Sequence, residues 1–378
     1  MLKFNTHPQR INRLNLIFAL FFVTFFVNAN SDLDKLNIPN GFHISIFADN
    51  LESPRQIAET DNGYVIVGSK KGNEIYAFYD KDLDGYAEKR ILIADNLQNP
   101  TGVTVHDGDL YFAEIDTIWI VKKIDNWLDS DSQSLPIKEI FMNNLPSETW
   151  HGFKYIDFGP DGNLYIPVGV PCNICLEPQT RDNRFAAIHK YVNGELITVA
   201  DGVRNSVGFD WHPITGEMYF TDNGRDWMGD DIPPCELNKV EYEGEHFGFP
   251  YIHGADVEDD GFKIPEGFEF SKPVWNFQAH TAPVGMKFYN GSMFPDRYKN
   301  GIFVAQHGSW NRPAGKVGYR VLFLKTNDGL VESSEVFIDG WLEGETSWGA
   351  PAAPLVLRDG SMLISDDRSN QIFKITYK

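Results

Sequence analysis

Three observations predict an all-β chain folded as a six-bladed β-propeller. First, a turn followed by an apolar strand recurs: DNGYV at 61–65, DGDLY at 107–111, DGNLY at 161–165, TGEMY at 215–219, NGIFV at 300–304 and DGSML at 359–363. The copies stand about 45 to 85 residues apart, a spacing that suits blades built only of strands. Second, 33 Gly, 21 Pro and 14% aromatic residues suit turn-rich β structure better than helix bundles. Third, no segment after residue 29 carries a long amphipathic helical period. An Asp-Gly turn ahead of β-branched and aromatic residues is a hairpin signal, because such turns need left-handed backbone.

The elements follow in chain order. Lys3, Arg10 and Arg13 precede an apolar run from Leu14 to Val27, and Val27-Asn28-Ala29 resembles a signal-peptidase site. The run is short beside the ~20 residues of a membrane span, so residues 1–29 are expected to be a cleaved signal peptide. The mature chain then begins near Asn30 and is secreted or periplasmic. The formal charge of −20 becomes −23 when the three cations of that segment leave with it. Such an acidic chain argues against nucleic acid or anionic membrane as a partner. No flexible linker divides the rest, so residues 30–378 form one domain. The strand from His43 to Ala48 and the last one, QIFKITY at 371–377, are expected to share a blade, which closes the ring and removes exposed edges. The widest gap, between the fourth and fifth copies, is expected to hold insertions.

Within blade 1, DKDLDGYAE at 80–88 has the alternating carboxylates and glycine of a calcium loop. Asp80, Asp82 and Asp84 are its candidate ligands for a structural calcium, although Ile91 stands where a glutamate would complete the twelve-residue pattern. Cys172 and Cys175 form a C-x-x-C in a Pro-containing loop after a strand, the wrong setting for a thioredoxin-like motif. A structural disulfide joins Cys172 to Cys175, or one of them to Cys235. The stretch from Gly202 to Asn238 holds two short strands flanked by charged and glycine-rich loops. Arg204 and Asn205 precede the first strand; Gly224, Arg225 and several carboxylates follow the second. Cations, amides and open backbone carbonyls at strand ends suit a polyanionic cofactor held by a metal. The chain has no P-loop, G-x-G-x-x-G, H-E-x-x-H or G-x-S-x-G motif, and its histidines do not cluster at zinc spacing.

Taken with TWHGFK at 149–154, HTAPVGMKFY at 280–289 and VAQHGSWNR at 304–312, this pattern resembles the soluble PQQ-dependent sugar dehydrogenases, the sorbosone and aldose sugar dehydrogenase group. The resemblance implies an enzyme that oxidises an aldose, sorbosone or similar sugar to a lactone or acid. PQQ and Ca2+ would be its cofactors, and a quinone or cytochrome c its electron acceptor. It makes His151 the general base, as imidazole titrates near neutrality. It places Arg204 and Asn205 against the quinone, with Arg204 steadying the reduced cofactor. It assigns the backbone carbonyls of Gly224 and Arg225 to the catalytic calcium, and leaves room for the Arg225 side chain at a cofactor carboxylate. Arg55, His307 and Arg312 are further candidates for the cofactor's acid groups. One departure stands out: Ala350 occupies a position where many relatives carry arginine. Its loss would weaken PQQ binding, move that contact to Arg312, or signal a changed function. Two other functions fit a propeller: a metal-dependent lactonase-like hydrolase, needing several carboxylates around one calcium, and a non-catalytic binding propeller.

Overall fold

A computed structural model describes residues 30–378 except 131 and 328; the expected signal peptide, 1–29, lies outside the described residues. Six four-stranded antiparallel sheets form the blades of a β-propeller. Blade 1 runs through Pro54–Glu59, Val65–Ser69, Ile75–Tyr79 and Lys89–Ala94. Blade 2 begins with Gly102–His106 and Asp109–Ala113, and blade 3 with Asp157–Phe158 and Leu164–Val168. Blade 4 begins with Phe209–Trp211 and Met218–Asp222, and blade 5 with Pro283–Phe288 and Ile302–Gln306. Blade 6 takes Pro351–Val356, Met362–Asp366 and Gln371–Tyr377, and its outer strand is the N-terminal Phe42–Ala48. Six antiparallel residue pairings from Phe42↔Tyr377 to Ala48↔Ile372 close the ring as expected.

Each repeated turn joins the first strand of its blade to the second. Between His106 and Asp109 both turn residues are left-handed, Asp107 at φ 51° and Gly108 at φ 77°, as a two-residue hairpin of this hand requires. The described helices are short: Asn30–Leu33, Ile124–Leu128, Glu177–Arg181 and a 3₁₀ turn at Asp296–Tyr298. The wide gap before blade 5 adds Glu245–His246 as a parallel edge to blade 3 and a small hairpin, Ile252–His253 with Val257–Glu258.

The core is divided among the seams. Phe112 and Ile66 pack between blades 1 and 2, Ile118 and Ile166 between 2 and 3, Ile188 and Phe220 between 3 and 4. Tyr219 and Val304 pack between blades 4 and 5, Phe303 and Phe373 between 5 and 6, Phe47 and Val65 between 6 and 1. Apolar faces on both sides of each sheet are therefore buried against a neighbour, which is what holds a ring of otherwise separate sheets together. At five of the six seams the first strands of neighbouring blades touch one another, and so line the axis. Pairing is antiparallel, so the start of each first strand lies beside the end of each second: Pro54↔Ser69, Gly102↔Ala113, Phe209↔Phe220, Pro283↔Gln306, Pro351↔Asp366. Residues just before a first strand and just after a second strand therefore converge on one end of the axis.

Candidate active site

A cavity of about 350 Å3 opens at that end. His151, Arg204, Asn205, Gly224, Arg55 and His307 all line it, and so does Lys70. They come from blades 1, 3, 4 and 5, brought together only by ring closure.

His151 precedes the first strand of blade 3 in left-handed backbone, φ 54°, which costs a non-glycine residue energy. Gly169, just after the second strand, permits this: a Cβ there would lie 2.7 Å from the His151 Cβ. The ring Nδ1 is 2.7 Å from the Val170 carbonyl, and the Trp150 indole nitrogen is 3.0 Å from Nε2. A carbonyl can only accept and an indole N–H can only donate, so Nδ1 carries the proton and Nε2 presents its lone pair. Burial, and next the charge of Arg204, lower the His151 pKa to about 3, against the partial support of the Val170 carbonyl. The ring is a neutral acceptor at neutral pH.

Arg204 is buried and anchored. Its Nε donates to the Asn173 carbonyl at 2.8 Å, Nη1 to the Asn223 carbonyl at 3.0 Å, and Nη2 to Asn173 Oδ1 at 2.9 Å. Asp226 is 3.5 Å away. The Asp222 carboxylate accepts the main-chain N–H groups of Arg204 and Asn205 at 2.8 and 2.7 Å and so fixes the pair. Burial pushes Asp222 up to about 6, opposed by those two N–H groups. The Asn205 side-chain amide makes no hydrogen bond among the described residues and faces the cavity.

A second cluster stands across from it. The buried carboxylate of Asp367 holds Arg55 Nη1 at 2.5 Å, Lys70 Nζ at 3.1 Å and His307 Nε2 at 2.7 Å. Burial alone would raise Asp367, but His307 and Arg55 win and hold it far below the usual carboxylate range. Arg55 keeps Nε and Nη2 without partners among the described residues.

Several predicted residues stand elsewhere. The Arg225 side chain does not meet the cavity: it is tied to Asp259 at 2.5 Å, and Asp259 also holds His253 at 3.0 Å. Arg312 lies outside the cavity, its guanidinium occupied by the Asp230 carbonyl, the Gly315 carbonyl and the Asp231 carboxylate. It borders a neighbouring hollow with Trp227 and Trp310, two exposed rings whose centroids are 6.0 Å apart. Ala350 is fully buried beside Trp341 in the seam between blades 5 and 6, and its N–H donates to Asp366. It does not line the cavity, whose wall carries the cations Arg55 and Lys70. Cys172 pairs with Cys175, and Cys235 is a buried free thiol at the start of a blade 4 strand, so the alternative bridge to Cys235 does not form. Asp80, Asp82 and Asp84 cluster in the outer hairpin of blade 1, not at the cavity.

The donor set fits PQQ. Three cations, Arg55, Lys70 and Arg204, and a free amide surround one hollow, matching a flat cofactor with several carboxylates. The carbonyls of Gly224 and Arg225 accept no hydrogen bond among the described residues, and such oxygens suit calcium. Among the described residues Asp226 is the one carboxylate on the cavity wall, too few for a lactonase-type metal centre.

Residues 123–308 match the glucose/sorbosone dehydrogenase family. An uncharacterized protein of Borreliella burgdorferi is 34% identical over 378 residues, covering 96% of this chain and 97% of the relative. The chain belongs to the glucose/sorbosone dehydrogenase family. Three solved structures show the same fold at low identity. A Trichoderma reesei carbohydrate-active enzyme of family AA12 superposes with a TM-score of 0.76 at 18% identity, over 91% of this chain and 98% of that one. The holo PQQ domain of Coprinopsis cinerea pyranose dehydrogenase gives 0.73 at 17%, over 90% and 97%. The PQQ-bound aldose sugar dehydrogenase of Streptomyces coelicolor gives 0.63 at 16%, over 90% and 100%. Family membership makes this chain a relative of the glucose and sorbosone dehydrogenases.

Proposed function

We propose that this chain is a PQQ- and calcium-dependent dehydrogenase that oxidises an aldose, sorbosone or similar sugar to its lactone or acid. The observation that carries the reading is the convergence, on one cavity, of the His151 Nε2 lone pair, the Arg204–Asn205 pair and the Arg55–Lys70 cations. Bound PQQ would supply a quinone that accepts hydride, and calcium a Lewis acid beside it. Arg55, Lys70 and the Asn205 amide would bind the cofactor's acid groups, and the Gly224 and Arg225 carbonyls the calcium. Arg204, held rigid by Asn173 and Asn223, offers a fixed positive charge where negative charge grows. His151 Nε2 accepts the proton of the substrate hydroxyl, which takes the place of the Trp150 indole N–H. The Val170 carbonyl then steadies the imidazolium through Nδ1.

Export of the mature chain is part of the same reading. The basic and apolar N-terminal pattern and the Cys172–Cys175 bridge support it, since such bridges persist in oxidising compartments. Electrons would pass on to a quinone or a cytochrome c. The test is reconstitution of the mature protein with PQQ and calcium, following quinone absorbance and dye reduction with aldoses and sorbosone. Stoichiometric binding with sugar-dependent bleaching is expected. Absence of PQQ binding at saturating calcium would overturn the proposal.

A further inference from the structure

The outer hairpin of blade 1 lies on the seam where the ring closes. Asp80 ends the loop side of Ile75–Tyr79, and Glu88 precedes Lys89–Ala94. Between them Leu83 and Gly85 adopt left-handed backbone, φ 61° and 101°, and fold the loop back on itself. One carboxylate oxygen from each of Asp80, Asp82, Asp84 and Glu88 lies within 4.8 Å of all the others. Oxygens bound to one calcium at ~2.3–2.6 Å stand at most about 5 Å apart, so these four fit on one coordination sphere.

Asp80 supplies the second, independent observation. It is 8% exposed, and its Oδ1 has no hydrogen-bond partner. Its other oxygen accepts the Gly85 N–H at 2.9 Å and faces Lys374 Nζ at 3.6 Å. A buried carboxylate oxygen left without a donor is costly, and a cation among the four acids removes that cost. Glu88 resolves the incomplete spacing. Ile91, twelfth in the pattern, is committed to a strand, while Glu88, ninth, is folded into the cluster and accepts the Lys81 N–H at 3.1 Å.

We propose that Asp80, Asp82, Asp84 and Glu88 bind one calcium ion, separate from the cavity, that staples blade 1 to the closing strands of blade 6. The hairpin already touches those strands: the Ala87 N–H donates to the Phe47 carbonyl at 2.8 Å, Tyr86 Oη lies 3.3 Å from Asp49, and Lys374 belongs to the last strand. An ion that orders the loop therefore orders the closure, and calcium strengthens the seam that unzips when the ring opens.

The proposal does not depend on the assignment of the cavity. The experiment compares the mature protein with Asp82→Asn/Glu88→Gln, both stripped of metal and titrated with calcium by calorimetry and thermal melting, without PQQ. Wild type should bind one calcium more than the variant and gain in Tm with calcium; the variant should lose that gain and bind at least about tenfold more weakly at this site. The single variants Asp84→Asn and Glu88→Gln keep the test decisive if the double variant fails to fold: each should weaken calcium binding at this site and shrink the calcium-induced gain in Tm. Equal calcium stoichiometry and an equal gain in Tm in wild type and a folded variant would overturn the proposal.

Discussion

Replacing Asn173 with alanine should loosen Arg204 without removing any group from the cavity wall. The Asn173 side-chain oxygen accepts Arg204 Nη2 at 2.9 Å and the Asp226 N–H at 2.8 Å, and its amide donates to the Asp226 carbonyl at 3.1 Å. Alanine deletes all three and keeps only the main-chain carbonyl that accepts Arg204 Nε at 2.8 Å. A hydrogen bond to a charged group is worth about 1.5–3 kcal/mol and a neutral one about 0.5–1.5 kcal/mol. The three share one side chain and are not additive, so the net loss is about 3 kcal/mol. For a chain of this length that is a fall in Tm of about 4 °C. If half of the loss is felt as misplacement of the guanidinium, PQQ affinity drops about tenfold. The assay is a thermal melt of the apoprotein together with a PQQ titration at fixed calcium. Wild-type values in both would refute the clamp, and a lower Tm with unchanged affinity would confine Asn173 to stability.

Other expectations follow from the same contacts. His151→Ala should cut turnover by about 10²–10⁴-fold and leave PQQ binding intact; unchanged turnover in a sugar assay removes His151 as the base. Because its folded pKa is depressed to about 3, the unfolded chain binds that proton more readily between about pH 3 and 6.5, so the His151 contribution to stability falls as pH drops through this window. A pH series of melts should be flatter for His151→Gln, and an unchanged slope would contradict the shift. Glu236 runs the other way: burial, then Asp222, raise it to about 8, so its contribution is present at low pH and is lost as pH rises from ~4.5 to 8. Glu236→Gln should therefore gain in Tm over wild type at about pH 9 relative to pH 5; equal differences at both would sink this. Asp367→Asn should cost about 3–5 kcal/mol by leaving Arg55, Lys70 and His307 without their carboxylate. Bound PQQ should restore part of that loss, seen as a larger PQQ-induced Tm rise than in wild type.

The turns made most of the fold legible. All six lie between the first and second strands of a blade, so their count is the blade count, and the closing pair was readable because both terminal strands alternate as edge-sharing partners do. The cavity was legible in part, through loops whose residues announce chemistry, such as Arg204 and Asn205. What was missed has a common cause. Lys70, Asn223 and Asp367 are each the residue immediately after the second strand of their blade, the place that the expected candidate His307 holds in blade 5. Taken singly, Lys70 is an ordinary lysine in a turn; taken in register with the repeat, it belongs to the same end of the axis as His307. Asn173 was invisible for another reason, because its role depends on a loop fold set by the Cys172–Cys175 bridge.

The same register explains why Ala350 stands apart from the cavity wall. It precedes the first strand of blade 6 as Ala282 precedes that of blade 5, but its N–H is held by Asp366 and the residue is fully buried in the same core cluster as Trp341, so this backbone is packed into the seam. The next residue after Asp366 is Asp367, which gathers Arg55 and Lys70 from blade 1. Blade 6 thus contributes a carboxylate that positions two cations of its neighbour rather than a cation of its own. A positive charge delivered across the seam answers to ring closure, since Arg55 and Asp367 meet only when blade 6 joins blade 1. Loosening the closing strands should then weaken the cation cluster along with the fold. Ile375→Ala, a cavity in the seam between blades 5 and 6, should cost about 2–5 kcal/mol. It should also weaken PQQ binding although the residue lies in that seam core, and wild-type PQQ affinity in the folded variant would separate the cluster from the closure.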